Sequence, residues 1–138
     1  MTQLDRVRSL TINTFPDDRG SLTALEGAIE APFKIRRVFF VHHVLPPFER
    51  GGHAHRATEQ VLSCVSGSMK IDLADGAATQ TYVLDHPSVG LYVPELIWTR
   101  LYDFTPDAVM FSAASTHYQP DEVIRDWQQF LDEVRADG

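Results

Sequence analysis

The chain is poor in cysteine and in long apolar segments. Cys64 is the only cysteine among 138 residues, so no disulfide can form within the chain, and a reducing cytoplasm is the expected location. Val61, Leu62 and Val65 lie beside it, which predicts a small buried apolar side chain rather than a nucleophile. No segment reaches the ~18 apolar residues of a membrane helix. The N-terminus has neither the apolar core nor the cleavage site of a signal peptide, so we expect no membrane partner.

Basic residues are also scarce, with 12 Lys and Arg against 19 Asp and Glu and a net charge of -7. This balance argues against a general nucleic-acid-binding protein, which needs a basic face to neutralise phosphates. A few arginines that converge on one pocket are still sufficient to hold a diphosphate. The hydrophobic fraction of 43% and the length of 138 residues fit one globular domain over residues 1–138.

Short apolar segments of alternating pattern are abundant, and turn-forming Gly, Pro and Asp residues separate them. They predict an all-β sandwich or barrel with strands near residues 7–15, 22–25, 35–44, 60–66, 68–73, 79–84, 90–93, 97–103 and 108–112. Gly67, between two such segments, predicts a tight hairpin. In residues 121–134 the apolar side chains recur at helical spacing and acidic residues lie near the N-terminal end, which predicts a short C-terminal α-helix.

The most informative stretch is a pair of histidines in the sequence Arg50-Gly51-Gly52-His53-Ala54-His55. Side chains two apart on an extended segment point to the same face, which predicts that both imidazoles enter one cavity at a barrel mouth. The arrangement looks like the first cupin motif, in which His-x-His and a nearby carboxylate bind a metal. Here Gln60 holds the carboxylate position, strand alternation turns Glu59 to the opposite face, and residues 90–99 contain no histidine.

Two imidazoles and a neutral amide are a poor ligand set for a divalent metal. We therefore expect no metal ion at this motif, and histidines that are free to carry protons. An imidazole titrates near ~6.5 and can act as a base and as an acid within one turnover. Positioned groups of this kind contribute about 10²–10⁴ in rate.

Several short motifs together resemble the cupin-fold nucleotide-sugar 3,4-ketoisomerases, which act on dTDP-4-keto-6-deoxyglucose. The motifs are Asp18-Arg19-Gly20-Ser21-Leu22, Ile35-Arg36-Arg37-Val38, Arg50-Gly51-Gly52-His53-Ala54-His55-Arg56, Ile97-Trp98, Asp103-Phe104-Thr105-Pro106-Asp107, His117-Tyr118 and Ile124-Arg125-Asp126. The resemblance implies a cupin-type jelly-roll β-barrel that forms a homodimer. It further implies a dTDP-linked keto-deoxysugar as the ligand, and conversion of the 4-keto sugar to its 3-keto isomer with neither metal nor cofactor.

The resemblance also implies the site residues. His53 and His55 match the family's active-site histidines, with His55 as the base that removes the C3 proton and His53 assisting the return of a proton at C4. Arg50 is assigned to the developing oxyanion or to the diphosphate. Arg37, rather than its strand neighbour Arg36, is assigned to the diphosphate. The predicted substrate-binding set is Arg19, Ser21, Arg37, Arg50, Gln60, Trp98, Arg100 and Tyr118.

Some of these residues have an equally ordinary structural interpretation. Arg19 sits in a turn that it would stabilise, and Trp98 would fit in a hydrophobic core. The family often has an aromatic residue where this chain has Ser21, and tyrosines where it has Phe39 and Phe40. These differences leave the sugar and the configuration at its C4 open.

Two other functions compete with the ketoisomerase. The first is a metal-dependent cupin isomerase or dioxygenase that uses His53, His55, Glu59 and His117 as ligands. The second is a non-catalytic module that binds nucleotide sugars.

Overall fold

The computed structural model describes residues 2–137, in which antiparallel strands dominate and one α-helix ends the chain. The elements are β1 (Arg8–Thr11), β2 (Asn13–Asp17), β3 (Gly20–Ala24), β4 (Arg37–His42), β5 (Arg50–His55), β6 (Gln60–Ser66), β7 (Met69–Ala74), β8 (Thr79–Leu84), β9 (Val89–Val93), β10 (Trp98–Tyr102), β11 (Val109–Ala114), β12 (Val123–Ile124) and α1 (Trp127–Asp137). Two 3-10 turns, Leu4–Arg6 and Pro120–Glu122, precede β1 and β12. The predicted all-β class with a short C-terminal helix is confirmed. No helix within residues 2–137 has the length and apolar character needed to cross a bilayer.

Two five-stranded sheets form the body of the fold, and a separate hairpin projects from it. The first sheet has the order β1-β9-β6-β11-β4, the second has the order β12-β5-β10-β7-β8, and β2 pairs only with β3. Every pairing between these strands is antiparallel. The non-sequential strand order is that of a jelly-roll sandwich, in which connections cross between sheets.

The main core lies between the inner faces of the two sheets. On β7, Met69, Ile71 and Leu73 alternate with more exposed residues and are at most 1% exposed, as a strand that is buried on one face requires. They pack in one cluster with Leu62 of β6 and Met110 of β11 from the other sheet. The alternating apolar pattern of this segment therefore corresponds, as predicted, to a strand with one face buried in the core.

The C-terminal helix packs on the outer face of the second sheet. Phe130 is fully buried in a cluster with Ala54 of β5, Leu96 and Ile124 of β12. The helix begins at Trp127, and the Asp126 carboxylate accepts a hydrogen bond from the Gln129 backbone N–H at 2.9 Å, the geometry of an N-cap. This packing holds the short strand β12 against β5.

Several predicted boundaries differ from the observed ones. The strand predicted at 7–15 is broken at Ile12 into β1 and β2, and the strand at 35–44 begins at Arg37. Residues 50–55 and 123–124 form strands that no alternating apolar pattern marks. The helix predicted at 121–134 begins six residues later, because Val123 and Ile124 pair with His55 and Ala54 instead.

Candidate active site

A cavity of about 450 Å³ opens beside β4, β5, β10 and β11, and both histidines of the motif line it. On β10, Thr99 and Leu101 face the cavity, as Met110 does on β11. Apolar atoms form most of the surface of the wall, and eight of the lining side chains are polar or charged. That composition is typical of a site for a small organic ligand.

The glycines before the histidines shape the strand that carries them. Gly51 has φ of 86° and Gly52 has φ of 72°, a region that favours glycine. A Cβ on Gly51 would lie 2.8 Å from the Thr99 carbonyl oxygen, so no side chain fits there. The register to β10 shifts at this point, since Thr99 pairs with His53 and Arg100 pairs with Gly51. The result is a β-bulge that directs the following side chains, a common device next to active sites.

The imidazoles of His53 and His55 lie edge to face, with ring centroids 5.2 Å apart and planes at 87°. The prediction that both rings enter one cavity is met by this geometry. His55 contacts a carboxylate on one side and an amide on the other: its Nδ1 hydrogen-bonds to Glu122 Oε1, and its Nε2 lies 3.0 Å from Gln60 Nε2. A carboxylate accepts and an amide nitrogen donates, so this arrangement fits a neutral ring protonated at Nδ1.

The Glu122 carboxylate is held by two groups besides His55 itself. Thr58 donates its hydroxyl to Oε1 at 2.7 Å, the Ala57 backbone N–H donates to Oε2 at 3.2 Å, and the Thr58 hydroxyl also contacts that of Thr116 at 2.7 Å. Burial alone would raise the pKa of the Glu122 carboxyl, but the hydrogen bonds from Thr58 and His55 outweigh it and lower the pKa below its ordinary value. The carboxylate is therefore ionised at neutral pH.

His53 lies in a different environment from its neighbour. Burial, followed by the adjacent imidazole of His55, lowers the pKa of His53 below 6.5. Among residues 2–137, nothing is hydrogen-bonded to its buried Nδ1. His53 is therefore a neutral ring at pH 7.

Three arginines line the same cavity: Arg37, Arg50 and Arg125. None of them forms an ion pair with a carboxylate of the described residues. The guanidinium of Arg37 lies 5.6 Å from the ring centre of Phe39 and 5.7 Å from that of Tyr118, and its buried Nε has no hydrogen-bond partner in residues 2–137. In a chain of net charge -7, this cavity is a local concentration of unpaired positive charge.

The ligand set of the metal-dependent alternative does not come together. Glu59 accepts a hydrogen bond from the Tyr92 hydroxyl at 2.6 Å on the far side of β6, and burial together with this contact raises the pKa of Tyr92 to about 12. His117 is exposed and does not line the cavity. Across residues 2–137, no three His, Cys, Asp or Glu side chains converge on a point where a metal ion would fit. The donors present, two imidazoles and an amide, do not fit a divalent metal.

The sequence matches a known protein family over nearly its whole length. Residues 5–135 match the family described as FdtA: WxcM-like, C-terminal. The chain belongs to this family. A curated relative, the TDP-4-oxo-6-deoxy-alpha-D-glucose-3,4-oxoisomerase of Aneurinibacillus thermoaerophilus, is 42% identical over 114 residues, which cover 83% of this chain and 82% of the relative.

Solved structures of 3,4-ketoisomerases have the same fold. A 3,4-ketoisomerase from Helicobacter canadensis is 37% identical with a TM-score of 0.91, over 94% of this chain and 97% of that one. QdtA, a sugar 3,4-ketoisomerase from Thermoanaerobacterium thermosaccharolyticum solved in complex with TDP, is 36% identical with a TM-score of 0.92, over 95% of this chain and 96% of that one. The predicted family and the cupin-type jelly roll are both confirmed.

Six of the predicted site residues line the cavity described above. They are His53, His55, Arg37, Arg50, Gln60 and Tyr118. As predicted from strand alternation, Arg36 points elsewhere, and its guanidinium donates to the Ser115 carbonyl oxygen at 3.1 Å.

Two residues on β10 that were predicted to bind substrate, Trp98 and Arg100, lie outside the cavity. Because Thr99 and Leu101 face inward, Trp98 and Arg100 face outward. Trp98 packs against Phe130 of α1, with ring centres 5.6 Å apart. Arg100 forms ion pairs on the surface with Glu49 at 2.6 Å and Asp72 at 3.2 Å.

Arg19 and Ser21 also lie outside the cavity of their own chain. They belong to the β2–β3 hairpin and line a shallow groove there together with Phe15 and Leu22. Arg19 bonds to Asp17, through its backbone N–H at 2.7 Å and its guanidinium at 3.1 Å, which is the turn-stabilising role. The predicted contact with substrate is therefore not formed within one chain.

Sequence reasoning missed two residues of the site, Glu122 and Arg125. Both flank β12, the short strand whose pairing with β5 brings them to the histidines. Arg125 belongs to the motif Ile124-Arg125-Asp126 that contributes to the family resemblance, but that motif assigns it no role. Glu122 lies in a segment whose apolar spacing favoured a helix.

Proposed function

We propose that this chain converts a TDP-linked 4-keto-6-deoxyhexose into its 3-keto isomer. Support comes from the named relatives, which are 3,4-ketoisomerases or oxoisomerases of TDP-linked sugars, at 36–42% identity. The observation that carries the proposal is the pair of imidazoles in one cavity, with His55 Nε2 as the ring nitrogen not bound to Glu122.

The reaction is an internal transfer of hydrogen between adjacent carbons. His55 Nε2 accepts the C3 proton, which the neighbouring C4 ketone acidifies, and the C3–H electrons form a C3=C4 double bond while O4 becomes an enolate oxygen. O4 takes up a proton and O3 loses one, and a proton delivered to C4 leaves a ketone at C3. One carbon is oxidised as its neighbour is reduced, so atoms and electrons balance without an external oxidant.

His53 and the arginines supply the remaining parts of the proposal. The neutral His53 ring, 5.2 Å from His55, assists the return of a proton at C4. The negative charge that develops on oxygen needs donors at close range, and Gln60 and Arg50 line the same cavity. Arg37 and Arg125 have no carboxylate partner among the described residues and serve the diphosphate, for which a planar guanidinium is well suited.

We further infer that the protein acts in the cytoplasm as a homodimer. Phe15 is 61% exposed and Leu22 is 60% exposed on the β2–β3 hairpin, and an isolated two-stranded hairpin is only marginally stable in water. A subunit contact would cover these side chains. Light scattering gives the mass of the species in solution, and a monomer at micromolar concentration would contradict the dimer.

The experiment that tests the proposed activity is isomerisation in deuterium oxide. The purified protein is incubated with TDP-4-keto-6-deoxyglucose, and NMR follows the appearance of the 3-keto sugar, the deuterium at the exchanged carbon and the configuration at C4. His55→Asn is expected to abolish turnover and retain TDP binding. His86→Asn is the matched control, because His86 lies in an exposed turn where its Nδ1 caps the Ser88 N–H, a role that asparagine also fills.

Two results would contradict the proposal. The first is binding of the TDP sugar with no exchange and no isomer, which would favour a non-catalytic binding module. The second is a His55→Asn variant that keeps the full rate, since the base would then be another group.

A further inference from the structure

We propose that Glu122 is a positioning residue that fixes the proton-accepting form of His55 and balances its charge when it takes up the substrate proton. The inference rests on the proposed function and adds a residue to it. Glu122 does not line the cavity, so it acts on the reaction only through His55.

The first step concerns which ring nitrogen of His55 carries the lone pair that can accept a proton. An ionised carboxylate can only accept hydrogen bonds, so its contact with Nδ1 requires a proton on that nitrogen. In the neutral ring the lone pair is then on Nε2, the nitrogen that contacts Gln60 at the cavity. A ring with the opposite tautomer would present an N–H to the substrate and could not accept the C3 proton.

The second step is that this carboxylate is built to stay ionised and in place. Its oxygens accept bonds from the Thr58 hydroxyl and the Ala57 N–H, and the Glu122 backbone carbonyl accepts the Arg56 N–H at 2.8 Å. Only 13% of the His55 side chain and 11% of the Glu122 side chain are exposed. Water therefore screens this pair weakly, and the imidazolium formed during turnover is stabilised where it arises.

The third step concerns the segment that delivers the carboxylate. Glu122 ends a 3-10 turn, and the next residue, Val123, pairs directly with His55 across the β5–β12 ladder. The base and its carboxylate are thus held by one backbone pairing, which restricts their relative orientation. Preorganisation of this kind is what a supporting residue contributes to acid–base catalysis.

Glu122→Gln separates this role from simple packing. The Ala57 N–H can only donate, whereas the Thr58 hydroxyl can rotate to accept a hydrogen bond from the amide and donate to Thr116 instead. The single amide oxygen of glutamine therefore takes the Oε2 position, and the amide NH2 faces Nδ1. His55 must then accept at Nδ1 and carry its proton on Nε2. The substitution keeps the size of the side chain but reverses the tautomer of the base.

The test measures the tautomer and the kinetics separately. In protein labelled with ¹⁵N-histidine, with signals assigned by comparison with His55→Asn, we expect His55 in the unsubstituted chain to be protonated at Nδ1 and in Glu122→Gln at Nε2. We expect kcat on TDP-4-keto-6-deoxyglucose to fall about 10²–10⁴-fold with KM changed by less than about threefold. Asp121→Asn is the matched control, because it removes one negative charge from the preceding, exposed residue, and it should leave both readouts unchanged.

The outcomes are distinguishable from failure of the proposed activity. An unsubstituted chain with His55 protonated at Nε2 would overturn the inference, even if no variant folds. A Glu122→Gln variant with unchanged kcat would overturn it as well, and so would a slow variant whose His55 keeps the Nδ1–H tautomer. If the unsubstituted chain isomerises no TDP sugar, the proposed function fails, while the tautomer still reports on Glu122.

Discussion

Two adjacent arginines at the start of β4, Arg36 and Arg37, offer a sharp test of the ligand, because only Arg37 lines the cavity. Arg37→Gln removes a guanidinium that lines the cavity with an unpartnered Nε, whereas Arg36→Gln removes one that binds the Ser115 carbonyl. Both substitutions change the net charge by one unit and lie one residue apart. Any difference in TDP affinity between the two variants therefore depends on which side chain faces the cavity, and not on the overall charge of the protein.

The expected magnitude follows from the contact that Arg37 would make. Hydrogen bonds to charged groups contribute about 1.5–3 kcal/mol, so loss of one such contact raises Kd about 10–150-fold. The rings of Phe39 and Tyr118, whose centres lie 5.6 and 5.7 Å from the guanidinium, restrict its orientation and reduce the cost of ordering it on binding. We place Arg37→Gln in the upper half of that range, and Arg37→Lys between it and the unsubstituted chain, because lysine keeps the charge without the planar fork.

Isothermal titration with TDP at two salt concentrations measures this prediction. Arg36→Gln should bind TDP within about threefold of the unsubstituted chain, and thermal unfolding should verify that both variants fold. The reasoning is refuted if Arg37→Gln also stays within about threefold, or if the two variants lose affinity equally. Added salt should weaken binding to the unsubstituted chain more than binding to Arg37→Gln, because one charge contact is already lost.

Three further outcomes are expected. Phe130→Ala, which empties a fully buried site between α1 and the second sheet, should lower the free energy of unfolding by about 3–5 kcal/mol in urea titrations, and a loss below about 1 kcal/mol would contradict the packing described. Burial, and then the adjacent imidazole, lower the pKa of His53 in the folded chain, so the unfolded chain binds this proton more readily. The free energy of unfolding should therefore fall as the pH drops below about 6.5. Urea titrations at several pH values should show a weaker pH dependence for His53→Asn than for the unsubstituted chain. Arg100→Gln should leave kcat/KM within about twofold, because Glu49 and Asp72 hold that guanidinium on the outer surface, and a tenfold loss would return it to the site.

Much of the fold was predictable because alternating burial leaves a local trace. Met69, Ile71 and Leu73 are separated by one residue each and are buried together, so the sequence alone identifies their strand. The residues of β5 have no such trace, since only Ala54 among them is buried. That strand exists because β10 and β12 pair with its two edges, and neither partner is adjacent in sequence.

The site was predictable to the extent that it depends on spacing. A separation of two residues puts His53 and His55 on one face whatever the fold, and a separation of one residue puts Arg36 and Arg37 on opposite faces. Alternation does not tell which face is inside, and Trp98, which was predicted to bind substrate, lies on the outer face of β10 against Phe130. Glu122 was missed because only the long-range pairing of β12 brings it to His55.

The last strand, β12, brings residues to the active site but contributes nothing to the main core. All buried residues of the main core precede residue 115, and most of them come from β6 to β11 and the segments between these strands. Glu122, the counter-charge of the base, and Arg125, one of the cavity arginines, come later in the sequence. They flank β12, which pairs with β5 through only two residue pairs and is covered by the terminal helix. The ladder is short, but the buried Phe130 and the Arg56–Glu133 ion pair hold the tail in place. A truncation after Ser115 would remove Glu122 and Arg125 from the site and would also expose Ala54, which the tail buries. We therefore expect such a truncation to lower stability and to remove the counter-charge of the base together.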